Sequence, residues 1–129
     1  MSSMAMRHET DPRMDLLKKL GDISDFEIFN NMVLVAIYER PAQTAKGLYI
    51  PDTTRAEDKY QGKAALIVKM GPVAFKTDGD YFTEGGPKVG DWIAIRPSDG
   101  WPISINGTLC RMLVDEAVKI RIPTPDSVY

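Results

Sequence analysis

From residue 31 onward the apolar positions of the chain recur with a period of two, which predicts strands rather than helices. In Met32 to Tyr38, Val33, Val35 and Ile37 fall on one side, and Leu34, Ala36 and Tyr38 on the other. Both sides are apolar, as expected of a strand covered on both faces. A second apolar run spans Ala64 to Met70. A third, Asp91 to Arg96, sets Ile93 and Ile95 on one face and Trp92 and Ala94 on the other. Ile103 and Ile105 alternate around Ser104 and lead into Asn106-Gly107, the strongest short-range hairpin signal, because both residues tolerate positive φ. The chain returns through Leu109 to Val114. A last strand is expected from Ala117 to Ile122, with Val118, Ile120 and Ile122 inward, Lys119 and Arg121 outward, and Pro123 and Pro125 ending it. Short strands separated by Gly and Pro read as an all-β barrel or sandwich, whose open edges must be covered by closure or by neighbouring subunits.

Two stretches break the pattern. Pro41 to Gly62 is long and polar, and holds one apolar island, Leu48-Tyr49-Ile50, between Gly47 and Pro51. Gly71 to Gly90 is glycine-rich, with Asp78-Gly79-Asp80 and Gly85-Gly86-Pro87. Connections this long are uncommon in compact domains and tend to be functional or disordered. An apolar island in a polar loop is an aggregation hazard without a partner. Two readings stand side by side: the island is displayed for a partner, or it is a short strand against its own barrel. Residues 1–28 form an arm of different composition. Asp11 is placed to cap a helix, Pro12 to start it and Gly21 to end it, with Leu16, Leu17 and Leu20 as its apolar stripe. A loosely ordered leader is the equal alternative. The chain thus divides into the arm (1–28), a β domain (29–122) and a tail (123–129).

With 129 residues, 43% of them hydrophobic and 26% charged, the chain suits one soluble domain. The formal net charge of −2 and the lack of any run of Lys and Arg argue against a nucleic-acid binder. Trp92 and Trp101 have no basic groove beside them and are assigned to the core or an interface. The single cysteine, Cys110, permits no intrachain disulfide, fits a reducing compartment and reads as a small buried hydrophobe. The N-terminus has no apolar core of signal-peptide length, and no segment approaches the ~20 apolar residues of a membrane span. A cytoplasmic protein is expected. In that setting Asn106-Gly107-Thr108 is a tight turn rather than a glycosylation site. The only histidine, His8, lies in the polar arm, so neither a histidine-based triad nor a multi-histidine metal site can be assembled within one chain. Asp115 and Glu116 read as solvated turn residues, and Asp52, Glu57 and Asp58 match no EF-hand spacing. No catalytic residue, metal site or cofactor is assigned, and the protein is not expected to be an enzyme.

The order of these pieces carries a resemblance. A strand, Val33 to Tyr38, leads to Lys46-Gly47-Leu48-Tyr49-Ile50-Pro51. Tyr60-Gln61-Gly62-Lys63 then opens a strand ending Val68-Lys69-Met70-Gly71. Val89-Gly90-Asp91-Trp92-Ile93 follows the second loop, and Asp99-Gly100-Trp101, a hairpin and a final strand complete the series. Over residues 29–122 this resembles the GroES-type co-chaperonins. The resemblance implies a small GroES-like β-barrel that forms a homo-oligomeric ring, a heptamer. It implies a mobile loop whose apolar tripeptide, here Leu48, Tyr49 and Ile50 after Gly47, docks on the apical domains of a GroEL-type chaperonin. ATP is then used by that partner, and unfolded client protein is enclosed. Asp78, Gly79 and Asp80 fall near the tip of the family's roof hairpin. The first and last strands of neighbouring subunits meet in the family, which nominates Val33, Val35, Ile37, Val118, Ile120 and Ile122 for the subunit interface. The sequence departs from the family in its arm, in Asn30-Asn31-Met32 where Asp-Arg is common, in Pro102 after Trp101, and in its tail. Such departures are similar to those of phage-encoded co-chaperonins. They leave open a structural or assembly protein, viral or not, that reuses the barrel without binding a chaperonin.

Overall fold

The computed structural model describes residues 11–39, 47–49, 64–76 and 86–128. Helix α1 (Pro12–Leu20) precedes six strands: β1 (Met32–Ile37), β2 (Ala64–Met70), β3 (Trp92–Ala94), β4 (Trp101–Ile105), β5 (Thr108–Val114) and β6 (Ile120–Ile122). Short 3-10 helices cover Asp115–Ala117 and Pro125–Val128. The strands form one antiparallel sheet in the order β4-β5-β1-β2-β3-β6, so the described residues are mostly β, consistent with a small GroES-like barrel.

The alternation in β1 is realised as two cores. Leu34, Ala36 and Tyr38 join Leu66, Val68, Trp92, Cys110 and Ile122 on one face. Val33, Val35 and Ile37 join Ala65, Ile67, Ile93, Ile95, Leu109 and Leu113 on the other. The pairing of β1 with β2 slips between Leu34 and Val35, so that Leu34 opposes Lys69 but Val35 opposes Ile67. Val68 is the extra residue of a β-bulge, which bends and further twists the pair.

The first core is completed by the chain ends. Asp11 accepts from the Arg13 N–H at 3.0 Å and caps α1, and Gly21 ends it with φ 73°. Leu16 and Leu20 enter the first core, whereas Leu17, expected in the same stripe, is exposed. Its place on the helix turns it off the sheet. At the other end Tyr38 donates its hydroxyl to Asp126 at 2.8 Å, and Val128 packs on the same face.

Between β3 and β4, Asp99 accepts from the Arg96 backbone N–H (3.0 Å) and from its Nε and Nη2 (3.1 and 2.9 Å). The buried Arg111 reaches the Asp99 carbonyl at 2.7 Å. Gly100 is required here. Its φ is 68°, and a side chain would begin 2.3 Å from the Met112 carbonyl oxygen.

This arrangement bears on the nominated interface and corrects one part of the last strand. Val33, Val35 and Ile37, nominated for a subunit interface, lie on β1, which is hydrogen-bonded to β2 and β5 on its two edges and buried on both faces within its own subunit. In β6, Ile122 is buried as expected but Ile120 is 53% exposed, because β6 is the outermost strand and Ile120 lies at its start. Val118 lies before the strand and packs on the second core.

The hydrogen bonds and charge of Arg96, first among them its side-chain bond, hold the Asp99 carboxyl below its ordinary value. A lowered folded value means that this stabilisation is present above the unfolded pKa, near 4, and is lost as the pH falls through the lowered one. Asp99→Asn is expected to lower the melting temperature at neutral pH and to flatten the loss of stability on acidification, as read by thermal melts at several pH values. Burial pushes the Cys110 thiol up to about 11. A thiol reagent at neutral pH is therefore expected to leave the native protein unlabelled and to label it fully in denaturant.

Candidate functional site

The candidate site is the first long connection and the stem that carries it. The connection leaves after β1 and returns at β2. Tyr38 closes the stem: its N–H donates to the Ala64 carbonyl at 3.0 Å. The Tyr38 ring is buried and meets Trp92 edge to face, with centroids 5.9 Å apart and planes at 81°. Such a pair adds about 0.5–1.5 kcal/mol beyond area burial. The first connection thus leaves β1 and rejoins β2 at a hydrogen-bonded base.

Within the connection, Gly47, Leu48 and Tyr49 are described. Gly47 adopts φ 87°, a conformation that side chains disfavour. Leu48 is 63% exposed and Tyr49 77%. Leaving Leu48 in water forgoes about 1.5–3 kcal/mol that a binding groove can recover. Ile50, the third member of the tripeptide, lies outside the described residues.

The second connection also has a firm base. Gly71 N–H donates to the Met32 carbonyl at 2.8 Å and Val73 N–H to the Asn30 carbonyl at 3.2 Å. A side chain at Gly71 would begin 2.2 Å from the Asn30 carbonyl oxygen, so this close crossing requires glycine. Asp115 ties three segments together. One carboxylate oxygen accepts from Asn31 Nδ2 and the other from the Phe75 N–H, each at 3.0 Å, while its own N–H donates to the Asn31 carbonyl. Phe75 is held at φ 59°, unusual for a bulky residue. On the returning side, Gly90 N–H donates to the Ile67 carbonyl and Asp91 accepts from Lys88 N–H and Arg121 Nη1. Asp78, Gly79 and Asp80, assigned to the tip, lie outside the described residues.

Asp115 corrects the reading of it as a solvated turn residue, since it is partly buried and satisfied by protein donors. The register of β1 with β5 sets Met32 opposite Val114, and one step further places Asn31 beside Asp115, a pairing that no pattern along either strand records. Among the described residues no group of three or more His, Cys, Asp or Glu is arranged to hold a metal. No described helix is long and apolar enough to cross a membrane. What the described part of this connection offers is two exposed apolar side chains, Leu48 and Tyr49.

Trp101, assigned to the core or an interface, is exposed on the edge strand β4, whereas Trp92 is core. Comparison with known proteins bears on the whole barrel. No curated protein matches the chain. The family model of the chaperonin 10 Kd subunit matches residues 25–119, from before β1 to just before β6 and through both long connections. That match covers most of the chain and shows that the chain belongs to the chaperonin 10 Kd subunit family, the co-chaperonins that work with a GroEL-type chaperonin.

Proposed function

We propose that this co-chaperonin assembles into a ring and caps a chaperonin through Gly47, Leu48, Tyr49 and Ile50, helping it fold client protein at the expense of ATP that the chaperonin consumes. The observation that carries the reading is the exposure of Leu48 and Tyr49 on a connection whose stem is closed. Ordering such a segment on binding costs conformational entropy, so each contact is weak. Copies tethered to one ring turn weak contacts into avidity. Weak single grips also permit release when the chaperonin changes state. Pro51 reduces the freedom the segment loses on docking. The roof role of Asp78, Gly79 and Asp80 belongs to the same proposal. For the ring, β6 is one of the two outer strands of the sheet and carries the exposed Ile120.

Leu48→Glu is expected to abolish chaperonin capture in a pull-down under ADP and ATP, and to remove the effect on chaperonin ATPase, while the ring stays folded. The loss per loop should reach ~10-fold or more, as expected for burying one leucine, and compound around the ring. Capture by the variant at the level of the parent chain would overturn the loop assignment. Ile120→Asp is expected to shift the sedimentation coefficient from assembled to dissociated subunits without changing the circular dichroism spectrum. An unchanged coefficient would remove β6 from the interface.

A further inference from the structure

Asn106 and Gly107 form the two-residue turn between β4 and β5, with φ 51° and 78°. Both are exposed, and nothing lies within 4 Å of where a Gly107 side chain would begin. The Asn106 amide is not idle. Its Nδ2 donates to the carbonyl of Leu20 at 2.6 Å. Leu20 is the last residue of α1, and carbonyls in the last turn have no intrahelical donor. Gly21 N–H turns back to the Leu17 carbonyl at 3.1 Å, which leaves the Leu20 carbonyl to the hairpin. A side-chain hydrogen bond from a hairpin tip therefore latches the arm to the barrel.

An asparagine followed by glycine is chemically vulnerable, because glycine lacks the Cβ that would shield its backbone nitrogen. We propose that Asn106-Gly107 is a site of spontaneous deamidation whose product unlatches α1. The Gly107 nitrogen loses its proton to water and attacks Asn106 Cγ. The bond from Cγ to Nδ2 breaks, and the side-chain nitrogen takes up a proton and leaves as ammonia. Water then opens the cyclic imide to aspartate or isoaspartate. One water is consumed, one ammonia is released, and nothing is oxidised or reduced.

The product reverses the contact. A carboxylate accepts hydrogen bonds and donates none, so it cannot hold the Leu20 carbonyl. Its charge faces the negative end of the α1 dipole. Isoaspartate also lengthens the backbone of a turn that depends on two residues. Release is confined to the arm. Beyond α1 the chain is held separately, by Lys69 Nζ at the carbonyls of Ser24 and Phe26. An amide engaged by Leu20 reacts more slowly, so docking of α1 protects the site that would undo it.

The test uses the full chain, aged at body temperature and mildly alkaline pH beside a urea-unfolded sample. Peptide mass mapping follows Asn106, and brief trypsin exposure follows cleavage after Lys18 and Lys19. Conversion is expected in the folded protein, more slowly than in urea and several-fold faster in Leu20→Ala. Aged protein and Asn106→Asp should be cut after Lys18 or Lys19 about 5-fold faster, as expected for loss of one hydrogen bond. Asn106→Gly removes the donor but accepts positive φ, so it keeps the turn and should be cut faster as well. An intact Asn106 in folded protein while the unfolded sample converts would overturn the proposal. So would conversion without faster cleavage, or no acceleration by Leu20→Ala.

Discussion

Strand β1 is hydrogen-bonded on both edges and packed on both faces, and the rest of the molecule is arranged around that condition. Its two sets of alternating side chains belong to two different cores. A one-residue slip of such a strand would exchange the sets, and each would meet the wrong neighbours. Among the described residues the bulge at Val68 is the one departure from regular pairing, and it keeps both faces apolar through the change of register. Leu34 at the start of the strand and Tyr38 just beyond its end share one core, so the register that places the barrel also places the stem of the first connection.

That rigidity makes a displayed apolar segment workable. Tyr38, its pairing with Ala64 and its contacts with Trp92 and Asp126 fasten the base of the first connection. Leu48 and Tyr49 can then sit in water without drawing the barrel open. The second connection is built on the same plan with different chemistry. Backbone donors of Gly71 and Val73 and the Asp115 carboxylate fasten its outgoing side, and Asp91 its return. Both extended connections of this co-chaperonin thus begin at satisfied polar contacts, which is where a local opening would otherwise start.

The two chain ends, outside most or all of the family match, serve the same core. Leu16 and Leu20 arrive from the arm, and Val128 from the tail, on the face that carries Tyr38 and Trp92. They cover apolar surface that the sheet alone leaves open. The arm is therefore part of the packing of this subunit, and its attachment at Asn106 is the place where chemistry can reach it.

Local chemistry determined much of this protein. Alternation set the strands, Asn106-Gly107 the hairpin, and Asp11, Pro12 and Gly21 the limits of α1, because each signal acts within a few residues. The Gly47-Leu48-Tyr49-Ile50 island was equally legible, since an apolar cluster in a polar stretch needs no partner in the sequence to be noticed. What alternation could not supply was the order of strands across the sheet. Only that order made β1 interior and β6 outermost, buried Val33, Val35 and Ile37 within the subunit and left Ile120 in the open. It also brought Asn31 and Phe75 to Asp115, and Asn106 to Leu20. Contacts between residues far apart in the chain depend on how the sheet twists and closes, and no periodicity along a strand records that.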